Sequence, residues 1–226
     1  MARPVRRAVR RHDEPYDSDV DAPDNYEQQG SASRPGIVRR SSQVSRGWDA
    51  VKRLSHATRR TKYLKLGDGD SVTVKFLEKD PFATYHAHWV GGKTYTGPEE
   101  DCPLCEIGDP PRHYILFNVV DVATREVMIW RTGLRTANTL HSFSEKPRTN
   151  PINRDDLYWE IKRTGTGVST NYLIYPVDQS VVEADGLTLI GKDELERLNG
   201  EAYDASVVYY NSREELEDVA DQLSSS

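Results

Sequence analysis

The chain has 226 residues, of which 29% are charged, and a formal net charge of -6 at pH 7. This composition favours one folded core with solvated flanks over a chain that is buried throughout. No segment approaches the roughly 18 consecutive apolar residues of a membrane span, and the basic start of the chain lacks the apolar region of a secretory signal, so we expect a cytoplasmic protein.

The charges are segregated into blocks along the chain. Residues 1–11 hold five arginines and no acid, and residues 12–33 hold seven acids without lysine or arginine. Residues 34–65 hold ten basic residues against Asp49 alone, whereas residues 178–226 carry three basic and thirteen acidic residues. Blocks of one sign are typical of interaction tails, although the acidic run at 12–33 matches no function that we recognise.

The first 66 residues are predicted to lie outside the folded core. Residues 1–45 have almost no periodic apolar positions and are rich in Arg, Asp, Ser, Pro and Gly, so we predict a disordered arm with a basic start. Residues 46–66 form a basic amphipathic segment, in which Trp48 and Val51 follow Val44 at helical spacing. We expect a short basic helix here that docks through Trp48.

Residues 67–178 carry the pattern of short strands and are predicted to form the core. In the first strand, Val72, Val74 and Phe76 alternate with polar residues. Short strands at close intervals favour a small barrel or sandwich, and a predicted helix at 134–143 interrupts them as the helix of an OB barrel does. The predicted strands cover residues 71–77, 84–90, 113–122, 126–132, 157–164 and 171–177.

Residues 179–226 are predicted to form an acidic C-terminal segment and tail. Within it, residues 192–198 and 213–223 have the pattern of short acidic helices or of a tail without structure. If the acids are flexible, they should compete at low salt with an anionic ligand for a cationic cleft.

The two cysteines, Cys102 and Cys105, are too few and too close for a disulfide framework, and their spacing is that of a metal half-site or a redox pair. A redox pair is favoured by a following helix that lowers a thiolate pKa, but Gly-Asp-Pro-Pro at 108–111 breaks the chain. Zinc needs four ligands, and two structural cysteines without metal are the alternative. The nearby histidines are His86, His88 and His113.

Aromatic and basic residues are interleaved along the predicted strands, which is the combination that unpaired bases require. A flat ring offers a stacking face of about 1–3 kcal/mol per base, and neighbouring cations neutralise phosphates. Some of these rings should pack in the core instead, and Trp130 and Arg131 must face opposite sides of their strand. The predicted contacts to single-stranded DNA are Lys75, Tyr85, Trp89, Lys93, Tyr95, Arg112, Tyr114, Trp130, Arg131, Arg135, Lys162, Arg163 and Tyr172.

Several motifs match one protein family in their order and spacing. They are Val74-Lys75-Phe76-Leu77, Pro81-Phe82-Ala83, His88, Gly92-Lys93-x-Tyr95, Cys102-Pro103-x-Cys105, Val119-Val120, Trp130-Arg131-x-Gly133-x-Arg135 and Asn171-Tyr172. Across this block, which spans a bit under half of the chain, the sequence resembles the T-even phage helix-destabilising protein and related single-stranded DNA-binding proteins of actinobacterial phages.

The resemblance implies a mainly β fold, namely an OB-like five-stranded barrel with an inserted CxxC zinc knuckle at 86–113 and one short helix between strands. It places zinc ligands at His88, Cys102 and Cys105, whereas a further family cysteine is replaced here by Gly97. The fourth ligand is then left open between His86, His113, an acid such as Glu99 or Asp101, and water. It also places Tyr114, Trp130, Arg131, Arg135 and Tyr172 on the DNA-binding surface.

The function that this resemblance implies is binding and protection of single-stranded DNA, without enzymatic activity, in phage replication, recombination and repair. The protein would act in the cytoplasm of the bacterial host. The basic N-terminal arm would support cooperative self-association along DNA. The acidic tail would recruit replication or recombination proteins and gate the DNA-binding cleft.

Two other functions compete with this interpretation. Asp155, Asp156, Glu160 and Lys162 resemble the set of a metal-dependent nuclease, although their spacing leaves no room for the hairpin that such sites use. A zinc-knuckle regulator of duplex DNA would need a basic recognition helix, and the predicted helix contributes only Arg135. The sequence has neither a nucleophile elbow nor a phosphate-binding glycine loop.

Overall fold

A computed structural model describes residues 61–98 and 100–225. The predicted arm at 1–45 and most of the basic segment at 46–66 therefore lie outside the described residues. The part of that segment that is described is extended, because the backbone of Leu64 donates to Ile129 O (2.9 Å) and that of Ile129 donates to Lys62 O (2.8 Å). The chain thus enters the fold alongside a strand and not as a helix.

The fold is mainly β and consists of one antiparallel sheet of seven strands. The strands are β1 (Ser71–Phe76), β2 (Ala83–Val90), β3 (Lys93–Gly97), β4 (Arg112–Asp121), β5 (Val127–Gly133), β6 (Leu157–Thr164) and β7 (Asn171–Asp178). The hydrogen-bonded order is β3-β2-β4-β1-β6-β7, and β5 pairs with β4. One edge of β4 pairs with β5. The other edge of β4 is shared, because its first half pairs with β2 and its last residues pair with β1.

Six of the strands coincide with the predicted ones, whereas β3 was not predicted. The helices within the described residues are α1 (Pro103–Glu106), α2 (Leu134–Ser144), α3 (Gln179–Ala184), α4 (Lys192–Asn199) and α5 (Arg213–Ser224). The prediction of a helix directly after Gly133 is confirmed by α2. Among these residues, no helix has the length and apolar character that crossing a bilayer requires.

Apolar side chains cover both faces of the sheet. One face, here called the α2 face, buries Phe76, Phe117 and Trp159 with Leu140 of α2. The opposite face, here called the C-terminal face, buries Tyr85, Tyr114, Leu116, Ile129 and Tyr158 beneath Val182, Ile190, Leu198 and Tyr203. Adjacent residues of a strand point to opposite faces, so this division follows from the alternation in β4 and β6.

The C-terminal segment is fixed to the sheet by buried polar contacts. The side chain of Asn118 donates to Tyr203 O (2.8 Å) and accepts from Tyr203 N (3.0 Å), as a neighbouring strand would. The hydroxyl of Tyr158 accepts from Ile190 N (2.9 Å). Residues 179–225 therefore fold onto the core as helices and do not form the free tail that we considered.

Candidate metal centre and nucleic-acid interface

The hairpin of β2 and β3 carries both candidate sites. Its turn is formed by Gly91 and Gly92, whose φ angles of 57° and 82° suit the two-residue turns that join twisted antiparallel strands. Because side chains alternate along a strand, β2 directs His86 and His88 to one side and Trp89 to the other. One strand thus joins a cluster of metal-ligating side chains to a surface of aromatic and basic ones.

A possible metal-binding group lies on the first side of β2. The ligand atoms of His86, His88, Cys102 and Cys105 all lie within 4.8 Å of one another. His88 Nε2 is 3.5 Å from Cys102 Sγ and 3.4 Å from Cys105 Sγ. Tetrahedral coordination with usual zinc bond lengths separates nitrogen and sulfur ligands by about 3.6 Å, so the donor set and its spacing fit a zinc-type site.

Helix α1 brings the two cysteines to the histidines. Cys102 precedes the helix and its carbonyl accepts from Glu106 N (3.0 Å), so that Cys105 follows one turn later on the same side. Cys102 is buried and Cys105 is exposed. The group is therefore mostly buried, and Cys105 is the member that reaches the surface.

Gly97 makes room for the fourth ligand. It pairs with His86 across the hairpin, and a Cβ atom at this position would lie 2.6 Å from Cys102 Sγ and 3.2 Å from His86 Nε2. A side chain here would therefore displace either the cysteine or the histidine. Of the alternatives considered for the fourth ligand, His86 belongs to the group, whereas His113 is exposed and lies outside it.

Asp109 supports the group from outside and was not predicted from the sequence. Its carboxylate lies 2.6 Å from His88 Nδ1, and its backbone is turned back by a bond from Asp109 N to Leu104 O (3.0 Å). A histidine that donates from Nδ1 to a carboxylate keeps Nε2 as a lone-pair donor, as is usual for metal-bound histidines. An acid after a CxxC pair is too common a pattern to have identified this role.

A metal would have to deprotonate the thiols of this group. Burial of the Cys105 thiol, followed by its hydrogen bond to Cys102 and by the charges of Cys102, Asp109 and Glu106, raises its pKa to about 11. Two adjacent thiolates repel each other unless a positive charge lies between them. A divalent cation supplies that charge and deprotonates coordinating thiols.

The other side of β2 belongs to a surface of aromatic and basic side chains. Tyr85 and Tyr114 face each other across β2 and β4, with ring centroids 5.1 Å apart and an interplanar angle of 30°. The guanidinium of Arg131 lies 5.1 Å from the Tyr114 ring and 5.8 Å from the Tyr63 ring. Along β2, Ala87 pairs with Arg112, and Trp89 follows on the same side.

We call this surface the aromatic face. Its members are Tyr63, Tyr85, Trp89, Arg112, Tyr114 and Arg131. Tyr85 and Tyr114 are 8% and 6% exposed and form its floor, whereas the other four are partly exposed. All of these residues except Tyr63 were predicted DNA contacts. Tyr63 lies between Lys62 and Lys65, so the same aromatic and basic pattern could have identified it.

Two predicted contacts, Lys75 and Trp130, are buried away from the aromatic face and leave the set of candidates. Lys75 is fully buried, and its ammonium donates to the carbonyls of Arg154 (2.7 Å), Asp155 (3.2 Å) and Leu157 (3.1 Å). Burial lowers the pKa of Lys75 to about 8. Trp130 is buried on the α2 face, where it contacts Phe117 and Tyr172, because β5 directs it away from Arg131.

The remaining predicted contacts lie outside the aromatic face, and among them Arg163 and Tyr172 pair across β6 and β7. Tyr95 packs beside α1 and α5, and Arg163 donates to Leu66 O (2.6 Å) and to the Thr170 hydroxyl (3.3 Å). The other positions are Lys93 at the start of β3, Arg135 in the first turn of α2, Lys162 on β6 and Tyr172 on β7. The structure therefore gathers five of the thirteen predicted residues into the aromatic face.

The acidic set of the nuclease alternative is not gathered into a metal-binding group. Asp156 is exposed and accepts from Arg154 Nε (2.8 Å), and this bond lowers the pKa of its carboxyl group. Within residues 61–98 and 100–225, the His86, His88, Cys102 and Cys105 group is the only one of its kind.

No family model, curated protein or solved structure matches the chain.

Proposed function

We propose that this protein binds and protects single-stranded DNA as a non-enzymatic, OB-like phage replication protein. The observation that carries the proposal is the aromatic face, where Trp89, Arg112 and Arg131 are partly exposed on the same side of the sheet as the buried ring pair of Tyr85 and Tyr114. An unpaired base can stack on the partly exposed ring of Trp89, and the two arginines can neutralise phosphates.

The strand connections support an OB-like barrel. Strands β1, β4, β5, β6 and β7 supply five strands, with α2 between β5 and β6, while the hairpin of β2 and β3 and helix α1 form an insertion between β1 and β4. Strands β5 and β7 have no ladder between them, but Trp130 and Tyr172 bring them together with ring centroids 6.0 Å apart. This contact is the proposed closure of the barrel.

The aromatic face favours binding without strong sequence preference. Every base has a π-face, so stacking tolerates all four, and arginine contacts to phosphate carry no sequence information. Arg131 already lies against Tyr63 and Tyr114, which orients its guanidinium before DNA binds. A face that is ordered in advance loses less conformational entropy on binding.

The metal is proposed to be a structural Zn²⁺ held by His86, His88, Cys102 and Cys105. When bound, it supplies a cross-link between β2 and α1 and no reacting group. The side chains of this chain do the rest, because Asp109 orients His88 and Gly97 leaves room for His86. Since β2 also carries Tyr85 and Trp89, fixing the hairpin fixes part of the aromatic face.

The proposed partners follow the charge blocks. The five arginines among residues 1–11 would support cooperative binding of further copies along one strand of DNA, and the acidic C-terminal segment would recruit replication or recombination proteins. The place of action would be the cytoplasm of the bacterial host. These roles rest on the resemblance and on composition.

A titration of the full-length protein with oligo-dT and with duplex DNA of equal length tests the proposal. Tryptophan fluorescence should report tighter binding to the single strand. A plot of log affinity against log salt concentration should have a slope of about -0.7 for each phosphate contact. Equal affinity for both forms would favour a duplex-DNA regulator. Mg²⁺-dependent cleavage that Glu160→Ala abolishes would favour a nuclease.

A further inference from the structure

We propose that the metal holds the acidic helix α5 against α1, so that losing the metal releases this helix while the sheet stays folded. The inference rests on the proposed metal site and extends it, because it assigns the site control over the C-terminal helix. Helix α5 contains five acids, so its position decides where the most acidic part of the described chain lies.

The apolar contact between the two helices includes a metal-ligating side chain. Cys102 and Leu104 are buried in one cluster with Leu216 and Ala220 of α5, and Tyr95 and Val219 pack at its edge. Cys102 therefore belongs both to the metal group and to the apolar cluster that packs against α5. A change in the position of this cysteine changes both.

Two hydrogen bonds between Thr96 and Asn211 fix the start of α5 beside the same site. Thr96 N donates to Asn211 Oδ1 (2.8 Å), and Asn211 N donates to Thr96 O (3.0 Å). Thr96 precedes Gly97, whose neighbours are Cys102 and His86. Ser212 then caps the helix through a reciprocal bond with Glu215, so the helix begins at the position that β3 sets.

Electrostatic repulsion opposes this docking. Glu217 carries a negative charge on α5, and Asp101 and Glu106 carry like charges beside α1. Arg213 offsets part of the repulsion, since Glu217 first, and then Glu106 and Asp101, raise its pKa. A helix of 12 residues is marginal in water by itself, so α5 needs the apolar contact, which the metal holds in place through Cys102.

Thermodynamic linkage makes the inference quantitative. If metal binding favours docking of α5 by some factor, docking must favour metal binding by the same factor. Weakening the contact between the helices from the α5 side should therefore weaken metal binding, although the altered residue is not a ligand. Leu216 is fully buried in the contact, whereas Leu223 on the same helix is 39% exposed and provides a matched control.

Hydrogen exchange of the full-length protein, with Zn²⁺ and after chelation, tests the release of the helix. We expect the amides of α5 to exchange at least roughly fivefold faster without metal, while those of α4, which packs on the C-terminal face through Leu198, stay unchanged. In Co²⁺ titrations, Leu216→Ala should lose metal affinity by a factor similar to the change in exchange, and Leu223→Ala should bind Co²⁺ as the wild type does.

The outcomes separate the inference from the proposed metal site. If Co²⁺ binds with thiolate absorption but α5 exchanges equally with and without metal, the coupling is refuted and the site stands. If α4 accelerates as much as α5, the metal stabilises the whole fold and the inference is also refuted. If neither Zn²⁺ nor Co²⁺ binds, both the site and the inference fall.

Discussion

The two sides of strand β2 carry different kinds of side chain, although their residues alternate along one chain segment. His86 and His88 face a closed group of donors, in which an added Cβ atom at Gly97 would lie 2.6 Å from a sulfur. Trp89 points to the other side of the strand and is partly exposed, whereas Tyr85 on that side is buried. Alternation thus lets one strand connect a site that fixes structure to a surface that can bind a ligand, and mutations on the two sides should differ in kind.

The largest effect is expected from removing a metal ligand. Cys102→Ser keeps the size of the side chain but weakens coordination, and structural metal sites contribute folding free energy directly. We expect the free energy of unfolding to fall by on the order of 3 kcal/mol or more, measured by denaturant titration with Zn²⁺ present. An unchanged midpoint, together with an unchanged response to chelator, would mean that no metal supports the fold.

Filling the space beside the cysteine should have the next largest effect. Gly97→Ala places a methyl group where Cys102 Sγ and His86 Nε2 lie, so Co²⁺ affinity should fall by about tenfold or more, or roughly 1.4 kcal/mol. Gly191→Ala is the control, because a Cβ atom there meets nothing within 4 Å. Equal affinities in the two variants would contradict the packing described for the metal group.

On the other side of β2, a substitution should affect DNA and not metal. Trp89→Ala should weaken oligo-dT binding by about 1–3 kcal/mol, because one stacking surface is lost, and Co²⁺ affinity should remain as in the wild type. Tyr175→Ala removes a ring that is 48% exposed on β7, away from the aromatic face, and should leave oligo-dT binding unchanged. Equal losses in both variants would argue against a defined binding face.

The smallest effect concerns the buried cation that resembled a DNA contact. The pKa of Lys75 is lowered to about 8 from 10.5, so between these values the unfolded chain binds more protons and stability rises with pH. The slope should not exceed about 1.4 kcal/mol per pH unit. Denaturant titrations from pH 7.5 to 9 should show this rise relative to Lys75→Met, and parallel curves would show that Lys75 does not titrate there.

Local patterns predicted most of the sheet, because alternation and β-branched residues identified six strands and Gly133 marked the start of α2. Strand β3 was missed because Lys-Thr-Tyr-Thr-Gly at 93–97 is short and has few apolar residues, and its pairing depends on the glycine turn before it. The basic helix docked through Trp48 remains a prediction outside the described residues.

The candidate site was predicted in part, because burial depends on contacts between distant segments. Lys75 and Arg131 both lie on strands beside aromatic residues. Lys75 is nevertheless buried, with its ammonium bonded to carbonyls at 154–157, whereas Arg131 is partly exposed. The sequence left both His86 and His113 as candidates for the fourth ligand. The pairing of β2 with β3 sets His86 opposite Gly97 and so brings it to the cysteines. The fold of residues 179–225 depends on Asn118, which no local pattern indicates.

Cross-linking to DNA tests the central claim most directly. An oligo-dT that carries 5-iodouracil can be bound to the full-length protein, irradiated and mapped by mass spectrometry of the protein's peptides. We predict that the cross-links fall on the aromatic face, at its partly exposed rings Tyr63 or Trp89. Cross-links confined to the side of Arg135 and Tyr172, or none above the level of a duplex control, would contradict the account.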